Sequence, residues 1–277
     1  MPNNVSFALL LALLAGLSTG IGSLIAYFMR KPKDWQLSLI LGFSAGVMIY
    51  VSFAELLHAA VGRIGFVNAN LGFFIGIAFI AILDILVPHE YKQERVGSSG
   101  FSSVAQDKTG RGSDVQPVGS LSVEQKSNLR RAGILIALGI AIHNFPEGLA
   151  VFSGAVTGDR TFGILIAVAI ALHNIPEGIS VSVPISEATG NRRRAFLYSF
   201  LAGLAEPVGA IIGYAVLFAF LTPSLIYSLL AFSAGIMVYI SLDEILPTAQ
   251  LYGRQHFVIL GVLAGMLVMA ISIFLLR

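Results

Sequence analysis

The sequence predicts an all-α polytopic membrane protein, with eight transmembrane helices in a three, two and three arrangement built on inverted repeats. Three observations carry that expectation. Hydrophobic residues fill 56% of the 277 positions and charged ones only 12%, with a mean hydropathy of +0.84, which sets the chain apart from soluble domains. Eight apolar runs reach the roughly 20 residues that a helix needs to cross about 30 Å of hydrocarbon. Pairs of stretches then repeat along the chain, and the longest pair is separated by an odd number of spans.

In chain order the runs lie at about 5–29, 36–58, 65–88, 132–154, 161–183, 195–221, 224–246 and 256–276. Each reads as a helix, because none alternates with the period of two of a membrane barrel strand. The first lacks the basic n-region of a secretory leader, and its basic cluster, Arg30 to Lys33, follows the apolar run, so it is expected to be retained. Between the third and fourth runs, residues 91–131 are polar, rich in Gly and Ser and aperiodic, the composition of a flexible cytoplasmic linker. The expected units are therefore 1–90 with spans one to three, 91–131 as the linker, 132–183 with spans four and five, and 184–277 with spans six to eight.

Charge gives the orientation. Fourteen of the 17 Lys and Arg residues fall in connections on one side of an eight-span chain, and only Arg63, Arg160 and Arg277 fall on the other. Positive-inside bias puts the first set in the cytoplasm and both termini outside. With basic residues confined to these short connections, the bilayer is the expected partner and nucleic acid is not. The chain has no cysteine, which excludes a disulfide framework, a thiolate metal site and a cysteine nucleophile.

The repeats are specific. Gly42 to Leu57 reads GFSAGVMIYVSFAELL and Ala231 to Leu246 reads AFSAGIMVYISLDEIL, identical at nine of sixteen positions, with Tyr50 matching Tyr239 and Glu55 matching Glu244. Five spans separate the two helices, so they cross in opposite directions. Leu14-Ala15-Gly16-Leu17 likewise matches Leu201-Ala202-Gly203-Leu204, and Gly22 falls where Gly209 does. Spans one to three thus pair with six to eight, and four with five, about a pseudo-two-fold axis in the membrane plane, a mark of many secondary transporters.

Spans four and five carry the chemistry. GIAIHNFPEGLAV, Gly139 to Val151, returns thirty residues later as AIALHNIPEGISV. On a helix His143 and Glu147 are spaced i, i+4 and Asn144 and Glu147 i, i+3, so the three share one side, as do His173, Asn174 and Glu177. A carboxylate near mid-bilayer costs about 2.5–3.5 kcal/mol even on the lenient insertion scale, so each needs a partner, and a divalent cation between the helices is one. Zinc accepts imidazole nitrogen and carboxylate oxygen, which His143, Glu147, His173 and Glu177 supply; manganese or ferrous iron prefers more oxygen, which Asn144 and Asn174 add. Pro146 and Pro176 should kink the helices and free the carbonyls of Ile142 and Leu172. Glu206, in AGLAEPVGA of span six, is a third intramembrane carboxylate whose counterpart by the repeat is Thr19; it reads as a further oxygen ligand or as a protonated acid bonded to a neighbouring helix. Met48, mid-span on helix two, is a candidate thioether ligand, with packing as the alternative. Glu55 with His58, and Asp243 with Glu244, sit near opposite mouths, as an entry and exit relay or as interfacial acids whose charge reaches water.

At HNFPEG and HNIPEG the sequence resembles the ZIP family of divalent metal transporters, in its bacterial zinc-uptake permease branch. The resemblance covers the whole chain: eight spans, a variable loop after the third, and AGLAEPVG on span six. It implies uptake into the cytoplasm across the bacterial inner membrane, broad selectivity among zinc, iron, manganese, cobalt and cadmium, and an elevator-like movement of one helix bundle against the rest. It also implies a binuclear centre, the first metal on His143, Glu147, His173 and Glu177 and the second on Asn144, Glu147, Asn174, Glu177 and Glu206. Many members carry other residues at the positions of His173 and Asn174, so the His-Asn pair in both copies bears on metal preference. The metal is cargo; no resident cofactor is expected. An intramembrane zinc hydrolase and a passive divalent cation channel are the competing functions, the first opposed by the lack of HExxH and of a separate general base. Gly-rich spans are compatible with a homodimer.

Overall fold

A computed structural model describes residues 2–29, 32–86, 123–157, 160–217 and 222–276. Eight helical segments in it are long and apolar enough to cross a membrane. The chain is a multi-pass membrane protein. Span one is α1 (Pro2–Phe28); span two is α2 (Asp34–Val51) continued by a π-helical segment (Ser52–Leu57) and α3 (His58–Ile64); span three is α4 (Phe66–Leu86). Spans four and five are α5 (Val123–Thr157) and α6 (Arg160–Thr189). Span six is α7 (Arg192–Gly203), α8 (Ala205–Ile212) and a π-helical segment (Gly213–Leu217). Span seven is α9 (Pro223–Ile240), a π-helical segment (Ser241–Ile245) and α10 (Leu246–Gln250), and span eight is α11 (Gln255–Leu276).

Three departures from the expected helices stand out among the described residues. The helix of span four starts at Val123, so the end of the expected linker is helical: its helix formers extend α5 beyond the apolar window, and Leu129 is buried. The rest of that linker and the end of the expected third span lie outside the described residues. Span six is interrupted at Leu204, because Pro207 cannot donate to the Gly203 carbonyl four residues back. Helical backbone runs unbroken through Pro146 and Pro176, so neither proline ends its helix. Spans two and seven each widen to a π turn, around Glu55 and around Asp243 and Glu244. Ser52 and Ser241 open these turns, their hydroxyls donating at 2.7 Å to the carbonyls of Met48 and Met237.

Burial orders the bundle. About seven tenths of spans four and five is inside the protein, against 28% of spans three and eight, so the repeated HNxPEG helices are central and α4 and α11 peripheral. Lipid tails are as apolar as leucine, so association here depends on close backbone approach at small residues. Glycine provides it in matched pairs. A Cβ on Gly46 would strike Val262 backbone as one on Gly235 would strike that of Phe73; Gly22 meets Ile175 as Gly209 meets Phe145; Gly178 meets Thr19 as Gly148 meets Glu206. At the level of whole helices, α2 packs on α11 as α9 packs on α4, and α1 packs on α6 as α8 packs on α5. The contacts α2 to α6 and α9 to α5 then join the peripheral helices to the central ones.

Candidate metal centre

The two HNxPEG segments face each other across the contact between α5 and α6, and all six of their polar side chains are buried to within 1%. Their pairing is crossed. Nε2 of His143 on α5 lies 3.0 Å from Oε1 of Glu177 on α6, and Nε2 of His173 on α6 lies 3.5 Å from Oε2 of Glu147 on α5. The i, i+4 spacing puts each His and Glu of one helix on a common face, and the antiparallel neighbour then offers each its opposite. Nδ1 of His143 is 3.1 Å from the Gly139 carbonyl, which can only accept, so Nδ1 bears the proton and Nε2 is the nitrogen left to act as a ligand. A carbonyl bonded to the far ring nitrogen in this way is how metal-ligating histidines are usually oriented.

The asparagines anchor the same helices to spans one and six. Nδ2 of Asn144 donates to the Ala202 carbonyl at 3.3 Å, and Nδ2 of Asn174 donates to the Ala15 carbonyl at 3.1 Å, positions matched by the repeat. The symmetry ends at Glu206, whose Oε2 accepts from Asn174 at 2.8 Å, while its counterpart Thr19 has no partner for its hydroxyl among the described residues. Both amides turn their nitrogens to acceptors, which leaves Oδ1 of Asn144 and of Asn174 directed elsewhere. Neither oxygen has a donor, nor do Oε1 of Glu147, Oε2 of Glu177, Oε1 of Glu206 or Nδ1 of His173. Five amide and carboxyl oxygens are thus buried without a hydrogen-bond partner among the described residues at the junction of α5, α6 and α8. Such atoms ordinarily cost about 1–3 kcal/mol each when left unmet, and a cation is the group that meets several together.

The remaining candidates stand around this core. Ser44 of α2 donates to the Pro176 carbonyl at 2.8 Å, and Met48 lies one turn further along the same face, fully buried in the main apolar cluster with Met237. Glu55 lies in the π turn that continues α2 beyond Met48. The four His and Glu side chains meet as two pairs and do not converge on one point. The one group of three His or carboxylate ligand atoms within 4.8 Å of one another, among the described residues, is Asp84, Asp243 and Glu244.

A family model described as ZIP zinc transporter matches residues 86–273, which include both HNxPEG copies and AGLAEPVG. The chain belongs to the ZIP zinc transporter family. It is 50% identical over 282 residues to "Zinc transporter ZupT" of Clostridium perfringens, covering 99% of this chain and 97% of that one. It is 49% identical over 285 residues to the protein of that name in Nitratidesulfovibrio vulgaris, covering 98% of each, and 48% identical over 285 residues to that of Lysinibacillus sphaericus, covering the whole of both.

The ZIP chain also has a polar cluster that joins Asp243 and Glu244 to Asp84 of α4, a residue whose place in the sequence marks it only as one acid near the end of the third apolar run. In the fold Oδ1 of Asp84 is 2.6 Å from Nη2 of Arg131 on α5, and its Oδ2 accepts from the Tyr239 hydroxyl of α9 at 3.2 Å. Asp84 and Arg131 stand 47 residues apart in the chain, across residues outside the described ones, so spacing gave no signal of the pair. Tyr239 and Glu244 belong to the repeated stretch and were its only hint. His89, the other residue near that helix end, lies outside the described residues.

Proposed function

We propose that this ZIP protein takes up zinc into the cytoplasm by alternating access around the buried cluster of spans four, five and six. The observation that carries the reading is the set of five amide and carboxyl oxygens and one imidazole nitrogen, all buried without hydrogen-bond partners among the described residues, beside two crossed His–Glu pairs. A bound ion would replace the proton each His–Glu pair shares. His143, Glu147, His173 and Glu177 form the first site. Asn144, Asn174 and Glu206, with the two shared glutamates, form the second, and Met48 borders the first from α2. The oxygen-rich second site suits iron, manganese, cobalt or cadmium beside zinc. Ligands must be deprotonated to bind, so metal affinity falls as pH falls.

The relatives' printed names support zinc as cargo, and the matched glycine contacts support an inverted repeat of spans one to three and six to eight about the central pair. In that arrangement Glu55 and the group of Asp84, Asp243 and Glu244 line the entry and exit, with the basic connections in the cytoplasm, both termini outside and the bacterial inner membrane as location. Against a hydrolase, the sequence has no HExxH, and every carboxylate of the cluster is assigned to the two metal sites.

Uptake into proteoliposomes tests the proposal. Glu177→Ala should abolish transport of zinc and of manganese, whereas His173→Ala and Asn174→Ala should change the two metals unequally. Saturation of the wild-type rate with zinc separates a carrier from a channel. Normal uptake by Glu177→Ala at equal insertion would refute the central site.

A further inference from the structure

A cavity of about 660 Å3 lies outside the metal centre, between the first turns of α5 and the connection from α6 to α7. Its polar wall is made by Lys126, Ser127, Asn128, Arg130 and Arg131 from α5 and by Arg194 from α7. Among the described residues that line it, none is acidic. Lys126, Arg130 and Arg194 have no carboxylate partner among the described residues, and Arg131 shares its guanidinium with Asp84. Lys126, Arg130 and Arg194 are exposed, and an anion placed among these like charges lowers their mutual repulsion.

Depth defines the anion further. Ile85 and Leu86, next to Asp84 on α4, are apolar and largely exposed, so the Arg131–Asp84 pair lies at the level of an apolar outer surface. Lys126 is five residues nearer the start of α5, about 7 Å further out by helical rise, within the headgroup layer. Basic pockets between helices at that level are suited to phosphate headgroups. The volume is that of a site for a small molecule, where a single phosphate would fill only a part.

We infer that this cavity is an anion site that takes a phosphate group, carried by an anionic phospholipid or free in solution. The cytoplasmic leaflet as the source of the lipid rests on the proposed orientation; the site itself does not. Arg131 would join it to the Asp84, Asp243 and Glu244 group, since a phosphate in the cavity competes with Asp84 for the same guanidinium.

The test uses the full-length protein in neutral detergent and native mass spectrometry, which is indifferent to orientation and to transport. Phosphatidylglycerol should be retained in preference to phosphatidylcholine of the same acyl chains. The combined change Lys126→Gln, Arg130→Gln, Arg194→Gln should weaken that binding roughly tenfold or more, by the usual contribution of a basic residue at a headgroup. The pair Arg193→Gln, Arg254→Gln, basic positions outside the cavity lining, should leave it unchanged, and the elution profile of each variant checks its fold. Displacement of the lipid by millimolar inorganic phosphate would show that free phosphate also occupies the site; retention would assign it to lipid. Equal retention of both lipids, wild-type binding by the triple variant, or an equal loss in the control pair would each overturn the proposal.

Discussion

At the scale of single residues, the two halves of the centre differ in one side chain. Asn174 reaches both the Ala15 carbonyl and Glu206, whereas Asn144 reaches only Ala202, because the repeat puts Thr19 where Glu206 stands. The sequence repeat therefore leaves one acid without an acidic counterpart, and that acid lies in the same buried cluster as Glu147 and Glu177. Glu206→Gln keeps the acceptor for Asn174 and the volume while removing the charge. Zinc uptake in that variant should fall roughly 10–100-fold, the usual consequence of losing a group held against a metal, with the protein still folded. A wild-type rate would make Glu206 a helix-bonding acid with no part in metal binding. The sequence displayed all seven of these polar residues by type and spacing. It could not display the crossing, in which each histidine meets the glutamate of the other helix, since that depends on how α5 and α6 lie against each other.

At the scale of elements, the helices around the centre are held by glycine. Gly148 lies against the backbone of Glu206 and Gly178 against that of Thr19, so each HNxPEG motif ends in the residue that lets span six or span one approach it. A methyl group at either position meets carbonyl and amide backbone, which cannot rotate away. Gly148→Ala and Gly178→Ala should each destabilise the protein by at least the roughly 1–3 kcal/mol of an overpacked core, while Gly62→Ala, which has open space around it, should have no effect. Thermal unfolding of the purified variants, followed by loss of the monodisperse elution peak, measures this; an unchanged profile for Gly148→Ala would mean that spans four and six do not pack this closely. The π turns at Glu55 and at Asp243 and Glu244 were not legible, because their residues suit an α-helix equally well. The wider turns begin at Ser52 and Ser241, whose hydroxyls bond back to the carbonyls of Met48 and Met237.

At the scale of the molecule, the matched contacts divide the bundle into α1, α5, α6, α7 and α8 on one side and α2, α4, α9 and α11 on the other. Arg131 and Asp84 bridge that division, as do Ser44 and the Pro176 carbonyl. Movement of one group past the other would have to break both. The orientation argued from charge can be read directly, since the chain has no cysteine to remove. In intact cells a membrane-impermeant thiol reagent should label Gly62→Cys and leave Arg254→Cys unlabelled until the membrane is opened. The reverse pattern would invert the proposed topology and turn uptake into export.

What the sequence determined by itself was the set of eight apolar runs and the polar residue types that spans four, five and six carry, because hydropathy and residue identity are properties of a linear string. Span four was recovered but not its start, since α5 continues in polar residues past the apolar window, and span six was recovered without its break at Leu204. The tertiary structure alone decided which acid meets which histidine, which glycine admits which backbone, that Asp84 finds Arg131, and that four basic side chains from two parts of the chain surround one cavity. The physical reason is common to all of these. Crossing a bilayer is a requirement that each helix meets alone, whereas a buried charge or a close backbone contact is satisfied only by a partner that the fold brings to it.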